Sequence, residues 1–173
     1  EGSDVPVDDT WTFGVLPNGV RYAVKKNDVP AGQVSIRVRI DAGALHENND
    51  EQGFAHLIEH LSFRGSTFVP DGEAKRIWQR FGVTFGSDSN AQTPPTQTVY
   101  KLDLPNATPE KLDESVKIIS GMIRNPRISP TALNAERAIV LAELRENSGA
   151  QMIYSDALRQ HAFQGQRLAN RST

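Results

Sequence analysis

Apolar and polar positions follow two different periods along this chain, and the changes of period mark its elements. Val34-Ser35-Ile36-Arg37-Val38-Arg39-Ile40 alternates without a break, the pattern of a strand with one buried face. Val99-Tyr100-Lys101-Leu102-Asp103-Leu104 alternates in the same way. Nearer the start, Thr12–Leu16 and Val20–Lys25 flank Pro17-Asn18-Gly19, and Asn-Gly predicts an antiparallel hairpin because both residues tolerate positive φ. Elsewhere the period is helical. Phe54, Leu57, Ile58 and Leu61 form one stripe of a helix over 53–63, and a second amphipathic helix covers 71–81, with Asp71 or a neighbour as its N-cap. Thr108-Pro109 opens a third helix that runs to about Arg124, where Asn125-Pro126 breaks it, and Ser129-Pro130 opens a fourth that runs past Glu146. Asn147-Ser148-Gly149-Ala150 bends or interrupts that helix, which resumes from Met152 to Phe163. Residues 82–98 are polar and rich in Gly, Ser, Asn and Pro, with Val83, Phe85, Ser87 and Ser89 able to be extended. The order β-β-β-α-α-(β)-β-α-α predicts an α+β fold, a largely antiparallel sheet packed on one face by helices.

Composition narrows the chemistry. A length of 173 residues suits one domain with a real core. Residues 1–10 are polar and are expected to form a disordered tail, leaving 11–173 as the domain. The start lacks the basic and apolar regions of a signal peptide, and the segment after Gln166 has neither a helix stop nor a closing strand, so truncation at the C-terminal end is expected. The net charge of -2 offers no general attraction to nucleic acid, and no apolar run approaches a membrane-spanning length. There is no cysteine, which removes disulfides, thiol nucleophiles and thiolate metal sites together. A metal here must be held by His, Asp or Glu.

The predicted helix over 53–63 carries His56-Leu57-Ile58-Glu59-His60. Histidines at i and i+4 project from one helix face, one turn apart, and can reach one zinc ion at about 2.0–2.1 Å each. Glu59 is offset by about 100° from His60 and borders that face, where a carboxylate can take a proton from an activated water. With 4 His in the chain, H-x-x-E-H arises by chance in roughly one such chain in a few hundred. A catalytic zinc site takes three protein ligands, so a carboxylate or one of the other histidines must complete it. Glu136 and Glu143 on the fourth helix are seven residues apart, nearly two turns, so both share one face at about 10 Å along the axis. One can bind the metal while the other supports it. His46 and His161 lack partners at ligand spacing and are expected at the surface or in a supporting role.

Gly53-Phe54-Ala55-His56-Leu57-Ile58-Glu59-His60-Leu61-Ser62-Phe63-Arg64-Gly65-Ser66 resembles the inverted zinc motif of the M16 metallopeptidases, the pitrilysin, insulysin and mitochondrial processing peptidase group. Further segments resemble the family in order: Leu16–Arg21 its opening hairpin, Ala42-Gly43-Ala44 and Glu47 the approach to the zinc helix, Ser89–Thr93 and Thr98–Tyr100 its edge-strand segment, and Ala135-Glu136-Arg137 with Glu143 its distal glutamate helix. The resemblance covers about residues 11–170 and is nearest in flavour to the bacterial exported branch. It implies an M16/LuxS-like sandwich and a zinc-dependent endopeptidase acting on unfolded polypeptides, with one Zn2+ per chain. It implies His56, His60 and Glu143 as metal ligands, Glu136 as their support, and Glu59 as general base. Asn90 and Ala91 match the segment that holds the substrate backbone as an added strand. The family closes two homologous halves around its peptide, so a second M16-like domain or subunit is implied as partner. The rival reading is a non-catalytic substrate-binding or assembly half, inactive as an isolated fragment. An exported, periplasmic location is implied by resemblance alone.

Overall fold

The computed structural model describes residue 6 and residues 8–146 and 148–171. Most of the expected tail over 1–10 thus includes residues outside the described ones, as do Asn147 and the last two residues. The chain divides into two compact units, Glu1–Gln33 and Val34–Thr173.

In the first unit, β1 (Trp11–Val15) and β2 (Arg21–Lys25) pair antiparallel, with Trp11 opposite Lys25 and Val15 opposite Arg21. The turn is longer than Asn-Gly predicts. The Gly19 N–H donates to the Leu16 carbonyl at 2.8 Å, and of Asn18 and Gly19 only Gly19 has positive φ, at 85°. The cause is Pro17. Its preset φ suits the second position of a turn that starts at Leu16, which puts Asn18 third and leaves the left-handed conformation to Gly19.

In the second unit, β3 (Val34–Ile40), β4 (Ser89–Gln92) and β5 (Thr98–Leu104) form an antiparallel sheet in the order β3–β5–β4. Val34 lies opposite Leu104 and Ile40 opposite Thr98, while Ser89 lies opposite Leu102 and Gln92 opposite Val99. β4 is therefore an edge strand. It starts only at Ser89, later than the extended stretch expected from Val83. Asp88 closes a turn instead: its carboxylate accepts the Thr84 N–H at 2.8 Å, and its own N–H donates to the Thr84 carbonyl at 2.9 Å.

Alternation in β3 and β5 sends one set of side chains to the core. Ile36, Val38 and Ile40 meet Tyr100, Leu102 and Leu104 on that face, which packs against Ala74, Ile77 and Trp78 of α2 (Glu73–Arg80) and Ile118, Ile119 and Met122 of α3 (Pro109–Arg124). This is the α+β arrangement that the alternation predicts. On the other face Asp103 pairs with Arg37 at 2.7 Å and Lys101 at 3.0 Å. Burial pushes its carboxyl upward, but Arg37, Lys101 and Ser35 outweigh that and hold it at about 2. Leu104 is fully buried, so Leu104→Ala is expected to cost about 2–5 kcal/mol, read as a lower midpoint in denaturant unfolding with an unchanged slope.

The remaining helices are α1 (Phe54–Ser62), α4 (Pro130–Glu146) and α5 (Ala150–Ala162). Thr108 caps α3 by accepting the Lys111 N–H, and Ser129 Oγ accepts the Ala132 N–H at 3.1 Å at the start of α4. α2 has Gly72 at its N-cap position, and Asp71 pairs instead with Arg64 at 3.5 Å. The stripe expected to anchor α1 is only partly its buried face. Leu61 is buried, but Phe54 and Ile58 are more than half exposed, and Glu59 and Ser62 turn inward in their place. Polar partners inside explain the rotation. Glu59 meets Thr93, and the Ser62 hydroxyl donates to the Glu59 carbonyl at 2.7 Å.

Candidate metal centre and cleft

α1 has no capping side chain of its own. Its N-cap is Gly53, at φ 93°, where a side chain would be strained. The Glu47 carboxylate takes over, accepting the N–H of Gly53 at 2.9 Å and of Ala55 at 2.7 Å. The Glu47 carbonyl in turn accepts bonds from Arg167 and Arg171, and Arg171 also reaches Asn49 Oδ1 at 3.0 Å. The first turn of α1, which carries His56, is thus tied to the 3₁₀ turn at Arg167–Asn170.

α4 packs against α1 and brings its two glutamates to the histidines. His56 Nε2 and His60 Nε2 lie 3.2 Å apart, with their rings edge to face. Glu143 Oε2 is 3.6 Å from the first nitrogen and 3.5 Å from the second. Three electron-pair donors therefore converge on one point. Ligands at about 2.0–2.1 Å around a tetrahedral ion stand roughly 3.3 Å apart, so this donor set fits zinc in both chemistry and spacing. Glu136 occupies the other side of His60. Its Oε2 is 3.1 Å from His60 Nδ1, and its Oε1 is 3.4 Å from Arg64 Nε. A carboxylate on Nδ1 fixes the tautomer that leaves Nε2 free to ligate. Glu136 is buried, whereas the Glu143 side chain is 41% exposed.

Glu59 is buried on the sheet side of the same helix, and Thr93 Oγ1 donates to its Oε2 at 2.5 Å. Tyr100 lies beneath. Burial pushes its hydroxyl up, the Ser62 hydroxyl opposes this, and the Glu59 charge adds to it. Glu59 and Thr93 line a cleft of about 740 Å³ together with the two histidines, Phe63, Phe85 and the β4 residues Asn90 and Ala91. His46 and His161 stay outside it, both exposed.

A model of the insulinase family, peptidase family M16, matches residues 22–172. The chain belongs to the M16 peptidase family. Over 143 residues it is 36% identical to the probable zinc protease PqqL of Haemophilus influenzae, covering 83% of this chain and 15% of that protein. It is 28% identical to the chloroplastic stromal processing peptidase of Pisum sativum, covering 98% of this chain and 13% of that protein. The crystal structure of the periplasmic protease PqqL from Escherichia coli superposes with a TM-score of 0.92 at 29% identity, covering 98% of this chain and 19% of that one. The chain thus spans less than a fifth of the length of these relatives. No helix among the described residues is long and apolar enough to cross a membrane.

Within this M16 domain the structure brings His56, His60, Glu143, Glu136 and Glu59 into one cluster and sets Asn90 and Ala91 at the cleft wall. Sequence reasoning did not single out Thr93, Arg64 or the capping role of Glu47. Their contacts cross between segments, from just after β4, just after α1 and the loop before α1, so no spacing within one element carries them.

Proposed function

We propose that this chain is the zinc-site domain of an endopeptidase that hydrolyses unfolded polypeptides. The observation that carries the reading is the convergence of His56 Nε2, His60 Nε2 and Glu143 Oε2 within 3.6 Å beside a buried Glu59. His56, His60 and Glu143 would hold one zinc ion, and Glu136 would hold His60 in the ligating tautomer. When bound, zinc polarises the scissile carbonyl and acidifies the attacking water. Glu59 takes the proton from that water and delivers it to the departing amine nitrogen. The peptide lies along the free edge of β4 at Asn90 and Ala91, paired through its main chain, which tolerates many side-chain sequences. What supports this is the edge position of β4 in the sheet order and its place in the cleft.

A second M16-like half would supply the opposite wall of the site, and the greater length of the relatives supports that reading. An exported location is supported by the periplasmic relative from Escherichia coli. The test is hydrolysis of an unstructured fluorogenic peptide by the complete protein. Chelation is expected to abolish turnover, and one equivalent of zinc to restore it. Undiminished turnover after verified metal removal would overturn the proposal.

A further inference from the structure

A general base must aim one oxygen at the water, and a glutamate with several rotatable bonds does not hold such an aim unaided. Here the second oxygen is taken. Thr93 Oγ1 donates to Glu59 Oε2 at 2.5 Å, with Thr93 6% and Glu59 7% exposed, and among the described residues no hydrogen bond reaches Oε1. The donor is itself held from both sides. On one side it follows directly on β4, whose last residue Gln92 is registered against Val99. On the other, the Leu45 N–H donates to the Pro95 carbonyl at 2.8 Å, and the Thr98 hydroxyl donates to the Ala42 carbonyl at 2.8 Å. Gly43 lets these backbones approach: a Cβ there would stand 2.2 Å from the Pro94 carbonyl oxygen and 2.8 Å from that of Pro95. The β-branch of threonine further narrows the side-chain torsion.

We infer that Thr93 is a positioning residue for Glu59. Its hydroxyl fixes Oε2 so that Oε1 is the oxygen presented to the reacting water. Because Thr93 continues the strand on which the peptide would dock, seating of the peptide and aim of the base share one rigid segment. This inference rests on the proposed role of Glu59.

The test uses Thr93→Val, which keeps the shape and removes the hydroxyl, beside Thr93→Ser, which keeps the hydroxyl. In the complete protein, Thr93→Val is expected to lower kcat by about 10–100-fold with little change in KM or zinc content, and Thr93→Ser to restore most of the loss. In a Glu59→Gln background, Thr93→Val should add no further loss, because the two act through one carboxylate. A merely structural residue would lower the rate in both backgrounds. A second measurement needs no turnover: cobalt(II) is bound in place of zinc and its visible bands are recorded. Glu59→Gln should shift them, Thr93→Val should shift them in the same sense, and Thr93→Ser should not. A Thr93→Val protein with wild-type kcat and cobalt spectrum, beside a Glu59→Gln protein altered in both, would overturn the inference alone. A change confined to KM would do the same. A Glu59→Gln protein altered in neither would remove the base reading itself.

Discussion

Glu59→Gln is expected to leave zinc content at the wild-type level while lowering peptide hydrolysis by about 10²–10⁴-fold. The two halves of that expectation come from different features. Zinc is retained because Glu59 stands outside the converging donor atoms, which belong to His56, His60 and Glu143. Turnover falls because an amide accepts no proton. Packing should barely change, since glutamine has nearly the same volume and its carbonyl can still accept the Thr93 hydroxyl. Elemental analysis and peptide hydrolysis on the same preparation check both halves. Near-wild-type hydrolysis would remove Glu59 from the proton transfer. Parallel loss of zinc would show that its carboxylate supports the ligand set instead.

The pairing of His56 with His60 was legible in the sequence because an i, i+4 spacing is local and survives any tertiary arrangement. The strands at Val34–Ile40 and Val99–Leu104 were legible for the same reason, since each repeats one period for its whole length. Local rules failed where a tertiary contact outweighed them. Phe54 and Ile58 lie on the apolar stripe of α1, yet the helix turns Glu59 and Ser62 inward, because Thr93 and Tyr100 offer polar partners there. The hairpin turn changed because Pro17 moved the turn one residue earlier. The seven-residue spacing of Glu136 and Glu143 put both on one face but could not rank them by geometry. Their contacts separate them, one meeting His60 Nδ1 and the other approaching both Nε2 atoms. Nothing local marked Glu47 as the cap of α1, because its partners lie six and eight residues downstream.

Replacing the two glutamates of α4 one at a time should therefore separate metal binding from stability. Glu143→Gln is expected to weaken zinc by more than the roughly 10–100-fold that loss of a supporting partner brings. Its side chain is 41% exposed and, among the described residues, forms ion pairs with the two histidines alone, so unfolding of the metal-free chain should change by no more than about 0.5 kcal/mol. Glu136→Gln should behave the other way. The amide can still accept from His60 Nδ1, which limits the loss of zinc to about 10–100-fold. Arg64, however, loses the buried carboxylate that stands 3.4 Å from its Nε, which should destabilise the metal-free chain by about 1–3 kcal/mol. Zinc affinity by competition with a chromophoric chelator, set beside denaturant unfolding of the metal-free variants, reads both axes. Weaker zinc in Glu136→Gln than in Glu143→Gln would exchange the two roles. Equal losses on both axes would mean that neither carboxylate is the third ligand, and that the closeness of Glu143 to the histidine nitrogens reflects packing of α4 on α1 alone.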